Sequence, residues 1–217
     1  MAIHGPGDVR FFDRVARAYD RVMPSTDVDA LRDGLGFARR PVERVLDLAG
    51  GTGRASLALR ELGYDPLVAD ASSGMIRRAR ARGFDCLRCD AGRLPLCEGA
   101  VDAAVVVDAL HHLPDRDAAV REAARVLAPG GVLVVREFDP GTLRGRALVA
   151  AERVALMDSS FDRPDALADR LAAAGLDARV LEPGFEYTVY GVKPDAGTDD
   201  EPGTDGETTG TAGSSGG

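Results

Sequence analysis

Hydrophobic and polar positions alternate along this chain in two rhythms. In "RFFDRVARAYDRVMP" (10–24), Phe12, Val15, Ala16 and Tyr19 recur at i, i+3, i+4 and i+7, the stripe of an amphipathic helix that stops near Pro24. A weaker helical pattern covers 27–38. From there, near-continuous apolar runs alternate with helical stripes. "VERVLDLA" (42–49) reads as a strand buried on both faces. "RASLALREL" (54–62) places Ala55, Ala58, Leu59 and Leu62 on one face and stops at Gly63. "YDPLVAD" (64–70) is a second strand, and "SSGMIRRARARG" (72–83) a helix with a serine cap and a terminal glycine.

"FDCLRC" (84–89) and "VDAAVVVDAL" (101–110) are the third and fourth strands. Asp115 then caps a helix burying Val120, Ala123, Ala124 and Leu127. "APGG" (128–131) turns the chain into a fifth strand, "VLVVREF" (132–138). A less regular stretch fills 140–162, and a helix follows at 164–174. The last strands, "DARVLEP" (177–183) and "FEYTVYGV" (185–192), join at Pro183-Gly184 as a hairpin. The pattern predicts an α/β fold: a doubly wound, mostly parallel seven-stranded sheet ending in an antiparallel hairpin.

Composition changes this picture only at the end of the chain. The 217 residues are 45% hydrophobic, which suits one folded domain over 1–193. From Pro194 the residues are small or acidic with no aromatic, so 194–217 reads as a disordered tail that cannot offset its ordering entropy. Asp195, Asp199, Asp200, Glu201, Asp205 and Glu207 lie there without a base, and supply most of the net charge of −8. An acidic chain without a basic stripe argues against nucleic acid as a partner. No run approaches a membrane span and no signal-peptide pattern opens the chain, so a cytoplasmic protein is the default expectation. Cys86-x-x-Cys89 has the spacing of a metal or redox pair, but on a strand the two thiols point to opposite faces. Cys86, Cys89 and Cys97 therefore read as small buried hydrophobes, and no metal site is expected.

In doubly wound sheets, ligands bind beyond the carboxyl ends of the strands where strand order reverses. Ala49-Gly50-Gly51-Thr52-Gly53 falls there. Missing side chains let backbone N–H groups approach a ligand, and the helix start behind them favours negative groups. The loop departs from the dinucleotide fingerprint G-x-G-x-x-G, because the third glycine position is Ser56. Four acids close successive strands: Asp47, Asp70, Asp90 and Asp108. A carboxylate at Asp70 suits both hydroxyls of a ribose, and one at Asp90 suits an adenine amino group.

The blocks "VLDLAGGTG", "VADASSGMIRRAR", "CDAGRLPLCEGAVDAAVVVDALHHL" and "REAARVLAPGGVLVV" resemble the class I S-adenosylmethionine-dependent methyltransferases in order and spacing. "AGGTG" preceded by "FFDRVARAYD" is most similar to the ubiquinone and menaquinone biosynthesis subgroup. The resemblance implies the Rossmann-like methyltransferase fold and S-adenosyl-L-methionine as cofactor. It implies that Gly50, Gly51, Thr52 and Gly53 line the methionine part and that Asp47 holds its ammonium. It also implies Asp70 on the ribose, Met75 against the adenine, and Asp90 with Ala91 at the adenine amino group. Tyr19 and Asp108 would lie near the methionyl end.

Methyl transfer to carbon or oxygen needs a base only where the acceptor must lose a proton, as a phenol or quinol does. His111 and His112, just beyond Asp108, are the candidates for that base or for positioning the acceptor. The stretch "DPGTLRGRALVAAERVALMDSSFDR" is shorter than its counterpart in the menaquinone-type enzymes it resembles, which argues against a prenyl-quinone acceptor and suits a smaller one, or a site covered mainly by the N-terminal helix. The expected function is therefore methyl transfer to a small molecule. Two alternatives share the same sheet: an NAD(P)-dependent oxidoreductase, and a module that binds the cofactor without catalysis.

Overall fold

The computed structural model describes residues 27–154 and 159–195, with backbone alone for 151–154. The expected helix containing Tyr19, and the tail beyond Asp195, lie outside the described residues.

Seven strands form one sheet in the order β3-β2-β1-β4-β5-β7-β6. They are β1 (Arg44–Leu48), β2 (Asp65–Asp70), β3 (Asp85–Arg88), β4 (Val101–Val107), β5 (Leu127–Phe138), β6 (Asp177–Glu182) and β7 (Glu186–Val192). The first five pair in parallel, whereas β7 is antiparallel to both β5 and β6. Helices intervene as α1 (Val28–Leu35), α2 (Arg54–Glu61), α3 (Ser73–Ala81), α4 (Arg116–Val126), α5 (Leu143–Val154) and α6 (Pro164–Ala173).

The apolar runs are continuous because the central strands are covered twice. Ala104 and Val106 of β4, with Leu133 and Val135 of β5, pack with residues of α4 and α6. Their alternate neighbours Ala103, Val105, Val132 and Val134 pack with α1 and α2 on the other face. Period-two alternation thus gives each helical layer its own apolar partner surface. Val68, Ile76, Ala79 and Phe84 extend the α2 side beneath α3. The caps also follow the chain: Asp27 accepts from the N–H groups of Asp29 and Ala30, Ser72 Oγ from Met75, and Asp115 from Ala118.

Three local expectations need correction. The fifth strand begins at Leu127, which pairs with Val101 before "APGG" bulges out and pairing resumes at Ala103↔Val132. The fourth strand ends at Val107, and a short 3-10 turn, Leu110–His112, follows. Within the supposedly irregular 140–162, α5 begins after Thr142, whose Oγ1 accepts from Gly145 N–H at 3.0 Å.

Candidate functional site

Strand order reverses between β1 and β4, and an acid stands at that end of each: Asp47 one residue before β1 closes and Asp108 just past β4. Asp47, on β1, is 1% exposed. Its Oδ2 accepts from Ser56 N–H at 3.0 Å and Ser56 Oγ–H at 2.6 Å. Oδ1 is buried without a hydrogen-bond partner. Burial raises the carboxyl to about 6, against the two Ser56 hydrogen bonds that lower it; the Asp70 charge adds to the rise. Ser56, at the position of the third glycine of a dinucleotide loop, thus anchors the acid of β1 through its hydroxyl. Its role was not legible in the linear sequence.

The glycine loop is shaped around that acid. A Cβ on Gly50 would stand 2.5–2.7 Å from the Asp47 carboxylate, and one on Gly53 (φ +80°) would meet the Phe84 ring at 2.9 Å. Even Ala49 adopts a left-handed φ of 55°, a conformation that costs a non-glycine residue free energy. Thr52 is buried, and its Oγ1 and carbonyl both accept from Arg82 Nη1, at 3.0 and 2.7 Å.

Asp70 ties this loop to the next helix. Its Oδ2 accepts from Gly51 N–H at 2.9 Å and its Oδ1 from Ser72 N–H at 2.7 Å. Met75, 2% exposed, lies beneath the loop, with its sulfur 3.9 Å from where a Gly51 Cβ would stand. Asp47, the loop, Asp70 and Met75 therefore form one connected unit. Asp90 sits further out, exposed, with Oδ1 accepting from Gly92 N–H at 2.9 Å, and Ala91 is half-buried against the main core.

On the β4 side, Asp108 has φ 52°, an uncommon conformation for aspartate that turns the chain sharply out of the strand. Burial raises its carboxyl to about 6, helped by the Glu137 charge and opposed by Arg54 and Arg136. Arg54 lies 3.8 Å from it and links the end of β4 to the helix behind the glycine loop.

The turn that follows carries both histidines. His111 is 3% exposed, with Nδ1 2.6 Å from Oε2 of Glu137, itself 4% exposed. Glu137 Oε1 accepts from Leu110 N–H at 2.7 Å and His111 N–H at 3.3 Å. Burial alone would raise the Glu137 carboxyl, but the His111 charge and hydrogen bond outweigh it and hold the group below the usual range. The His111 ring stacks on Phe161 with centroids 4.2 Å apart and packs against His112 at 4.0 Å. His112 Nδ1 lies 3.2 Å from Ser159 Oγ. Phe138 and Phe185, 5.3 Å apart, extend this aromatic wall. Glu137 escaped the sequence reading because a lone glutamate near a strand end looks solvated.

Cys86 and Cys89 pack against separate core clusters on opposite sides of the sheet, as strand geometry requires. They are half-buried and Cys97 is exposed, so burial is less complete than expected. Burial raises the Cys89 thiol to about 11. Among the described residues no group of three or more His, Cys, Asp or Glu could hold a metal, and no helix is long and apolar enough to cross a membrane.

A loop of bare backbone over a buried carboxylate with an unpartnered oxygen fits the amino-acid end of S-adenosylmethionine. The ammonium brings donors, and the loop brings no side chain to obstruct it. A methyltransferase domain family model matches residues 46–135. A demethylmenaquinone methyltransferase of Mycolicibacterium vanbaalenii is 36% identical over 193 residues, covering 80% of this chain and 84% of that protein. One from Beutenbergia cavernae is 41% identical over 143 residues, but that alignment spans only 61% of this chain and 59% of the relative's length. The crystal structure of an S-adenosylmethionine-dependent methyltransferase from Thermotoga maritima, described as a possible histamine N-methyltransferase, superposes with a TM-score of 0.67. It is 23% identical and the match covers 85% of this chain and 99% of that one, a likeness of fold. The chain belongs to the S-adenosylmethionine-dependent methyltransferases, among relatives named as demethylmenaquinone methyltransferases.

Proposed function

We propose that this protein transfers the methyl group of S-adenosylmethionine to a small aromatic acceptor carrying a hydroxyl, a phenol or a quinol. The observation that carries the acceptor class is the wall of Phe138, Phe161 and Phe185 around the His111–His112 pair, beside the strained end of β4. A flat ring gains from offset or edge contacts with such a wall. The relatives named for demethylmenaquinone support an acceptor of this kind, whereas the short 139–163 stretch favours a compact one.

Bound at the loop, the cofactor supplies a methyl group already activated on a sulfonium. The protein's part is to orient, to exclude water and to manage a proton. Gly50, Gly51, Thr52 and Gly53 would line the methionyl part and Asp47 would take the ammonium. Asp70 would hold the ribose, as a carboxylate that can accept from both hydroxyls. Met75 would pack on the adenine, with Asp90 and Ala91 at its amino edge. Asp108 would stand near the methionyl end, and Tyr19 belongs to the same expectation. His111 and His112 would serve the acceptor side. Holding donor and acceptor in line can contribute on the order of 7–11 kcal/mol to the rate.

The test is incubation of the purified protein with isotopically labelled cofactor and separate panels of phenols, naphthohydroquinones and amines, read by mass spectrometry. Label in the hydroxylated aromatics is the expected result. Label confined to amines would overturn the acceptor class. Tight S-adenosylhomocysteine binding with no transfer to any panel would instead favour a non-catalytic binding module.

A further inference from the structure

The glycine loop encloses an anion of its own. Helix α2 follows Gly53 with no side-chain cap and no acid in its first turn. Its third residue, Ser56, gives both N–H and O–H to one oxygen of Asp47, at 3.0 and 2.6 Å. The carboxylate thus stands at the helix start, where a dinucleotide loop would receive a phosphate. The other oxygen of Asp47 is buried without a hydrogen-bond partner. Gly50 lies so close that a Cβ on it would come within 2.5 Å of the carboxyl carbon.

We propose, on the methionyl placement given above, that Ser56 is the positioning residue of the cofactor loop: it fixes the Asp47 carboxylate beneath Gly50, so that the loop selects a nucleoside ligand carrying an ammonium. The charge acts across a single layer of glycine backbone, so no open path to the carboxylate is required. Both Ser56 donors favour the ionised acid, whereas burial opposes it. Other charged and titratable groups reach Asp47 from neighbouring elements. Asp70, at the end of β2, opposes its ionisation, and Arg54, in the first turn of α2, favours it. Arg54 also lies 3.8 Å from Asp108 past β4, and the Cys86 thiol of β3 senses the Asp47 charge. Among the described residues only Ser56 hydrogen-bonds the carboxylate, so a change there acts on Asp47 first.

A proton on Asp47 removes the charge that the ammonium needs. Wild-type affinity for S-adenosylhomocysteine should therefore fall as pH drops through about 6, approaching about tenfold per pH unit below it. The experiment is calorimetry from about pH 5 to 8 on wild type, Ser56→Ala, Ser56→Thr and Asp47→Asn. Two probes are compared: S-adenosylhomocysteine, and the thioether in which hydrogen replaces its amino group. Ser56→Ala removes the O–H donor and should raise the midpoint of the pH profile by about one to two units. S-adenosylhomocysteine binding should then weaken roughly fourfold at pH 7 and little at pH 8. Ser56→Thr keeps the hydroxyl and should restore the wild-type profile. Asp47→Asn should abolish the dependence on pH. The deaminated thioether should not weaken as pH falls, and at pH 7 should bind wild type and Ser56→Ala within about twofold of each other.

A wild-type S-adenosylhomocysteine affinity that is flat with pH would overturn the proposal. So would a loss in Ser56→Ala of the same size at pH 6 and pH 8 and for both thioethers, which would make Ser56 a packing residue only. If Ser56→Ala does not fold, Ser56→Cys, a weaker donor of similar size, takes its place with the same upward shift expected. Wild type that binds both thioethers with one pH profile overturns the role of Ser56 alone. Wild type that binds neither overturns the cofactor placement, and this proposal with it.

Discussion

Asp47 costs the folded protein stability once it ionises. The fold holds its proton more tightly than the unfolded chain does, since burial raises the carboxyl from 3.8 to about 6. A raised acid contributes fully to stability below its unfolded value, and the contribution is lost as pH climbs through the folded one. Above about pH 6, ionised Asp47 therefore weakens the cofactor-free protein, and Asp108 acts in the same direction. Asp47→Asn should accordingly stabilise the free protein by roughly 1–3 kcal/mol at pH 7.5 and by nearly nothing below about pH 4. It should also weaken S-adenosylhomocysteine binding. Urea unfolding across pH, paired with calorimetry, reads both effects; equal stabilisation at every pH would contradict the burial argument.

At this scale the sequence showed the acids but not their partners. Asp47, Asp70 and Asp108 stood out because each closes a run of apolar residues. Ser56, Arg82, Arg54 and Glu137 did not, since their contacts come from chain segments brought together only by folding.

Among the elements, β1, β4 and β5 were plain from their continuous apolar runs, because burial on both faces leaves no polar alternation to misread. Less visible were features set by backbone path. Nothing in the hydrophobic pattern marks α5, whose first residue, Leu143, is 85% exposed, so an apolar position there does not face the core. Nor did "APGG" reveal that it is a bulge inside β5. A Cβ on Gly131 would lie 2.6 Å from the Asp102 carbonyl oxygen and 2.8 Å from that of Ala128, both backbone. Gly131→Ala should cost about 1–3 kcal/mol in denaturant unfolding as β4 and β5 are pushed apart. A neutral result would mean that the bulge accommodates a side chain.

The clamp between β2 and α3 makes a second element-level prediction. Asp70 joins the glycine loop to the start of α3 through Gly51 and Ser72. Asp70→Ala should weaken S-adenosylhomocysteine binding by roughly 1.5–3 kcal/mol, the worth of charge-assisted hydrogen bonds. Circular dichroism should show the fold retained. Unchanged affinity would remove Asp70 from the ribose.

For the molecule as a whole, the strand order sets the site. Reversal at β1 and β4 opens a gap whose β1 side holds the glycine loop and whose β4 side holds the histidine turn, with Arg54 spanning the two. The parallel sheet and its closing hairpin were legible from the alternation of patterns along the chain. The proposed acceptor side was only half legible: the histidines were visible as a pair, but the phenylalanines of the adjoining aromatic wall come from three separate stretches.

The most direct measurement is a crystal structure of the complex with S-adenosylhomocysteine. The ribose hydroxyls should lie on Asp70 and the ammonium beside Asp47, with the sulfur directed toward the space bordered by His111, His112 and Phe161. A sulfur turned away from the histidines, or a ribose held elsewhere than Asp70, would contradict this placement.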